Sequence, residues 1–208
     1  MIIGNSLILT PPGSKTSIIV PTIVSGNTCG AVFWTDTKCE APMLPDRPSH
    51  YKHPIEGTLF WIDDCEKNGT LPPGRDTEPD FPRKGLNPAA KPTADDYFAA
   101  LESGIADTDK RILEIRIRLW WLGNDPVREG RASEPEPRFL ENLTQLVLLY
   151  SGKDKDSQLV KAELLRELGY FKDALALLEN QDFGDLQYEA KFIASLCQTQ
   201  DARVAKIP

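Results

Sequence analysis

Ser25-Gly26-Asn27-Thr28-Cys29-Gly30-Ala31-Val32-Phe33-Trp34-Thr35-Asp36-Thr37-Lys38-Cys39-Glu40-Ala41-Pro42-Met43-Leu44-Pro45 is the stretch on which the fold turns. Ala31 to Trp34 is an apolar, β-branched and aromatic run, and Lys38 to Glu40 can lie beside it. Asp36-Thr37 supplies the polar turn of a hairpin between them. Gly26-Asn27 marks a second turn upstream, because Gly and Asn accept the backbone angles that turns require. Working outward, Leu7 to Leu9, Ser17 to Val24 and Leu59 to Ile62 are further short β runs punctuated by Gly and Pro. Residues 1–66 therefore read as a small β-rich lobe.

Residues 67–92 read as a linker. Prolines 72, 73, 79, 82, 88 and 92 fall there among Gly, Asp and Lys, a composition that works against regular helix and sheet. From Thr93 to residue 208 the apolar period becomes helical. Thr93 is a natural N-cap, with Asp96 in the first turn and Gly104 as the stop. Asp107 or Thr108 caps a second helix with Ile112, Ile115, Leu119 and Leu122 at core spacing. Ser133-Glu134-Pro135-Glu136 has capping-box form and opens a third, which runs through Phe139, Leu143, Leu146 and Tyr150 to Gly152. Segments 157–168, 171–179 and 185–199 complete six helices with short turns, the pattern of an antiparallel array. The expected class is α+β. Ala162, Leu165, Gly169, Phe171, Ala174 and Leu178 follow the spacing of one tetratricopeptide (TPR) unit, in which small residues let two helices approach and Gly makes the turn.

The chain has 208 residues, 40% hydrophobic and 26% charged, with a net charge of −7. That is enough length to bury a sizeable core. Up to Pro92 there are 9 Lys+Arg against 10 Asp+Glu, and beyond it 15 against 21. An acidic helical half repels phosphate backbones, so nucleic acid is not the expected partner. No apolar run approaches the length of a membrane span, and the first residues carry no basic, apolar leader. Cysteines 29, 39, 65 and 197 form no CxxC pair and no tight framework. Scattered thiols of this kind indicate reduced cysteines in a cytoplasmic protein.

With the block Ser25 to Pro45, Phe60-Trp61 and Ala162 to Leu178 in view, the chain resembles a family of uncharacterised bacterial proteins. In that family a Cys-Pro-x-Cys zinc-ribbon-like module brackets an SGNTxGAxxWxD…APMLP segment, and a TPR-like helical region follows. The resemblance implies architecture and no activity. It places the first metal knuckle at Thr10-Pro11-Pro12-Gly13 and the second at His53-Pro54-Ile55-Glu56, with all four thiolates replaced. The implied lobe is a degenerate zinc ribbon. Structural zinc takes four N or S donors, so no metal or other cofactor is expected. A rewired zinc site would have to draw on His50, His53, Cys39 and Cys65.

Enzyme chemistry has little to stand on. The chain holds two histidines, His50 and His53, and neither has a nucleophile context, so a surface or turn histidine is the expected role for each. Asp63, Asp64 and Glu66 read as a solvated strand end. Gly13-Ser14-Lys15-Thr16 superficially resembles the end of a phosphate-binding loop, but Ile8 stands where its first Gly is needed. The second helix combines Arg116 with Trp120 and Trp121, residue types enriched at binding hot spots. Its plain reading puts one Trp in the core and pairs the arginines with acidic neighbours. Asn27, Trp34 and Asp36 are the nominees within the opening block, against a structural role in turns and core.

The expectation is a non-catalytic cytoplasmic adaptor that binds another protein through Asn27, Trp34, Asp36, Arg116, Trp120 and Trp121, with no nucleic acid and no membrane. The alternatives are an immunity-type inhibitor that neutralises a toxin or enzyme, and a metal-dependent enzyme or regulator using His50 and His53.

Overall fold

A computed structural model describes residues 1–73, 86–131 and 134–208. The class is α+β. The strands are β1 (Ile2–Ile3), β2 (Ser6–Thr10), β3 (Ile18–Val20), β4 (Ile23–Ser25), β5 (Val32–Phe33), β6 (Cys39–Glu40), β7 (His50–Lys52), β8 (Leu59–Trp61), β9 (Glu66–Leu71) and β10 (Asn87–Pro88). The helices are α1 (Ala94–Glu102), α2 (Asp109–Arg128), α3 (Pro137–Leu149), α4 (Lys155–Glu167), α5 (Phe171–Leu178) and α6 (Gln187–Gln198). The chain divides into two compact units. One comprises Met1–Ala31 with Glu40–Ile105, and the other Val32–Cys39 with Ala106–Pro208.

The first unit is built on a sheet of order β10-β3-β2-β9, with β2 antiparallel to both β3 and β9 and β10 parallel to β3. Leu9, Ile18, Val20, Tyr51, Phe60 and Cys65 form its core. This corrects the linker expected at 67–92. Its first residues, through Leu71, run along β2, and its last ones return as β10, with Pro88 on an edge strand where a missing N–H is tolerated. Residues 74–85 of that linker lie outside the described residues. The helix expected to open the helical half also belongs here. Thr93 caps α1 in a full capping box with Asp96, and the Tyr97 hydroxyl meets the His50 ring at 3.1 Å.

In the second unit α2 to α6 pack each against the next, and α4 also touches α6. Thr108 caps α2 and Asp154 caps α4. The third helix starts at Pro137 with Glu136 as N-cap and no side-chain cap bond, and the expected capping residue Ser133 lies outside the described residues. Gly169, at φ +82°, makes the turn between α4 and α5, and Ala162 and Ala174 are fully buried where the two helices meet. One core holds Trp120, Leu143, Leu146 and Leu164 between α2, α3 and α4. A second holds Leu159, Ala162, Ala174, Leu178, Phe183, Ala190, Ile193 and Cys197.

The hairpin β5–β6 is the part of the opening block that joins the helical unit. Its turn closes through Trp34 N–H to Lys38 C=O at 2.9 Å and Thr37 N–H to Trp34 C=O at 3.0 Å, with Thr37 left-handed at φ 69°. The chain end pairs with it through one isolated antiparallel bridge between Trp34 and Lys206: Thr35 N–H donates to Ala205 C=O and Ile207 N–H to Phe33 C=O, both at 2.9 Å.

Candidate functional site

Three of the six residues nominated from the sequence, Trp34, Asp36 and Trp121, meet at the hairpin tip, and a fourth, Trp120, is linked to it through Glu167 and Asn124. Asp36 is fully buried and forms an ion pair with Arg128 Nη2. Its Oδ2 also accepts from Asn124 Nδ2 at 3.0 Å, and its backbone carbonyl accepts from Trp121 Nε1 at 2.9 Å. The Arg128 guanidinium lies 5.3 Å from the Trp34 ring centroid, within cation–π range. Arg128 also donates to Asp125 Oδ1 at 2.7 Å, and Lys38 reaches the same oxygen at 2.5 Å. Trp120 is fully buried, and its Nε1 donates to Glu167 Oε2 at 2.8 Å. The other two nominees stand apart. Arg116 exchanges hydrogen bonds with Asn142, while Asn27 accepts the Cys29 N–H in a turn of the β unit.

The network extends to residues that sequence reasoning missed. Glu163, Arg166 and Glu167 are buried on α4. Arg166 binds Glu163 at 2.5 and 2.8 Å and donates to the carbonyls of Asp201 and Arg203, tying the chain end to α4. The Asn124 amide serves two acceptors, Asp36 and Glu167 (3.1 Å to each Glu167 oxygen), which uses both of its N–H groups. Burial, and next the charge of Glu163, push the Glu167 carboxyl up to about 8, against the pull of Arg166, Trp120 and Asn124. The sequence pattern singles out none of these three charges. The available signal was the position of α4, packed against α3, α5 and α6, because a helix with neighbours on several sides must pair its charges.

The metal candidates do not come together. Among the described residues no group of three or more His, Cys, Asp or Glu could hold a metal ion. The Cys65 thiol, pushed up to about 11 by burial, donates to the Trp61 carbonyl at 3.3 Å, and Cys39 lies in the hairpin of the other unit. Both histidines are fully enclosed: His53 opens a turn, as one of the two expected roles has it, whereas His50 lies in β7 and has neither the surface nor the turn role expected. His50 packs edge-on against Trp61 and Tyr97.

His53 stands between the two turns that the resemblance assigns to metal knuckles. Its Nδ1 accepts the N–H groups of Ile55 (3.3 Å) and Glu56 (3.0 Å), so Nδ1 carries no proton and a neutral ring carries it on Nε2. Nε2 lies 2.9 Å from Thr16 Oγ1 and 3.4 Å from Ser14 Oγ, and Ser14 in turn donates to Glu56 Oε1 at 2.6 Å. In this tautomer Nε2 carries the proton and faces the Thr16 and Ser14 hydroxyls.

Apolar exposure concentrates elsewhere on the β unit. β1 and β4 form a two-stranded antiparallel ribbon, and Ile2, Ile3 and Val24 on it are 60, 56 and 70% exposed. Met43 and Leu44 are exposed beside it, with the Leu44 side chain and Met43 carbonyl set close against Gly26.

No family model, no curated protein and no solved structure matches the chain.

Proposed function

We propose that the protein is a non-catalytic adaptor that binds another protein through the exposed aliphatic ribbon of its β unit. Ile2, Ile3 and Val24 carry the reading: large aliphatic side chains more than half exposed, on a ribbon with no third strand among the described residues. Exposed apolar patches of this kind mark interaction sites, and open strand edges can receive an extended segment of a partner. The Asp36 network acts as scaffold rather than contact surface, since Asp36 is fully buried and bonded to Arg128, Asn124 and Trp121 inside the helical unit.

The same residues support the architectural reading. The paired turns at Pro11–Ser14 and His53–Gly57, joined by Ser14, Thr16, His53 and Glu56, fit a degenerate ribbon held by hydrogen bonds in place of zinc. Ala162, Gly169 and Ala174 fit a TPR-like hairpin. An immunity-type inhibitor is a narrower form of the same reading, favoured by the acidic balance beyond Pro92, and a steep salt dependence of partner binding distinguishes it.

Affinity capture from native lysate at low salt tests the proposal, comparing wild type with an Ile3→Lys/Val24→Lys variant. Wild type is expected to retain a protein partner that the variant loses at an unchanged melting temperature. Absence of any partner, or equal capture by both proteins, overturns the reading.

A further inference from the structure

The helical unit contains a cavity of about 180 Å³ that borders the Asp36 network at Trp34. Its walls come from the hairpin (Phe33, Trp34), from α4 (Leu159, Val160) and from Ile193 and Ile207. Phe33 is 49% exposed, so the site is not sealed on that side. The charged residue in this lining is Glu189, in the first turn of α6. Its Oε2 is buried and has no hydrogen-bond partner among the described residues. An enclosed carboxylate oxygen without a donor is costly. An apolar chamber with one unanswered anionic group selects an apolar body carrying a cation.

Size narrows the ligand. A cavity of about 150 Å³ accepts benzene, whereas pockets for drug-sized molecules begin at roughly 300 Å³. The space here therefore fits one ring and a short tail.

We propose that this cavity binds a small primary amine with a single-ring body, the ring lying among Phe33, Leu159, Val160, Ile193 and Ile207 and the ammonium at the Glu189 carboxylate. The site is separate from the ribbon on the β unit, so it can be present or absent whatever becomes of the adaptor reading.

Titration of the ¹⁵N-labelled full chain with 2-phenylethylamine, ethylammonium and ethylbenzene tests it. Saturable shifts are expected at the Trp34 indole and at Ile193 with 2-phenylethylamine, at an affinity at least about tenfold tighter than either half-molecule. Glu189→Gln is expected to weaken the amine about tenfold, equivalent to about 1.4 kcal/mol, and to leave ethylbenzene unchanged. Glu189→Asp is expected to fall between, which guards against a misfolded amide variant. Val160→Trp is expected to fill the cavity and abolish binding of both ring compounds. Binding of ethylbenzene as tight as that of the amine, an amine affinity indifferent to Glu189→Gln, shifts confined to other regions, or no saturable shift each overturn the proposal.

Discussion

Asn124 and Asp36, 88 residues apart, meet inside the helical unit with the Asn124 amide donating to the Asp36 carboxylate at 3.0 Å. The same oxygen receives Arg128, so the tip of the hairpin is fixed by one buried anion shared between a cation and an amide. Removing the anion leaves the buried Arg128 with Asp125, which is partly exposed, as its remaining carboxylate, and breaking a buried pair typically costs about 3–5 kcal/mol. Asp36→Ala is expected to lower the stability of the helical unit by that order in urea denaturation. An Asp36→Ala/Arg128→Met double variant is expected to recover much of the loss, because no uncompensated charge remains. Equal losses in the single and double variants contradict this account.

Glu167 makes stability depend on pH. Its folded-state carboxyl is raised to about 8, above an unfolded value of about 4.3. Between these values the folded chain holds a proton that the unfolded chain has released. The contribution is therefore fully present below about pH 4 and is lost as pH rises through 8, by at most about 1.4 kcal/mol per pH unit. Denaturation at pH 5, 6, 7 and 8 is expected to show this decline for wild type and a flatter profile for Glu167→Gln. The slope is the readout, because the amide also changes the bonds to Trp120 and Asn124.

His53 sets a third expectation. Its Nδ1 is committed to two amide donors, and its Nε2 side meets Thr16 and Ser14 of the facing turn. Chelator is expected to leave the melting temperature unchanged, with elemental analysis showing no stoichiometric metal. His53→Ala is expected to cost about 1–3 kcal/mol, the penalty for stranding buried partners of a lost acceptor. A chelator-sensitive transition, or a neutral His53→Ala, goes against this.

The hairpin was legible because Asp36-Thr37 between an aromatic run and Lys38–Glu40 has few other uses. The helices were legible from their caps: Thr93, Thr108 and the Gly169 turn stand where the sequence places them. What local chemistry could not show was destination. Asp36 reads as a solvated turn residue and is buried because Arg128 and Asn124, some ninety positions away, come to meet it. Hairpin residues 32–39 lie among β runs in sequence, yet they belong to the helical unit. Helix α1 lies among helices in sequence but belongs to the β unit, because Tyr97 meets His50 there. Nothing in the sequence pattern singles out Glu163, Arg166 and Glu167 until α4 is seen to have neighbours on several sides.

Gly123 gives a last prediction, in which two effects oppose each other. It lies inside α2, where Gly costs about 0.8–1 kcal/mol relative to Ala, so helix propensity alone makes Gly123→Ala stabilising. A Cβ at this position, however, would lie 2.0 and 2.1 Å from two ring carbons of Phe139, at the start of α3. No real contact is that short, so the ring or the helix must move, and overpacking typically costs about 1–3 kcal/mol. The steric cost is the larger. Gly123→Ala is expected to destabilise the protein by about 1 kcal/mol net, seen as a lower urea midpoint at an unchanged m-value. Phe139→Ala removes the obstructing ring atoms, so in that background Gly123→Ala should become neutral or stabilising as propensity takes over. A stabilising Gly123→Ala in the wild-type background means that α2 and α3 do not approach closely at this point.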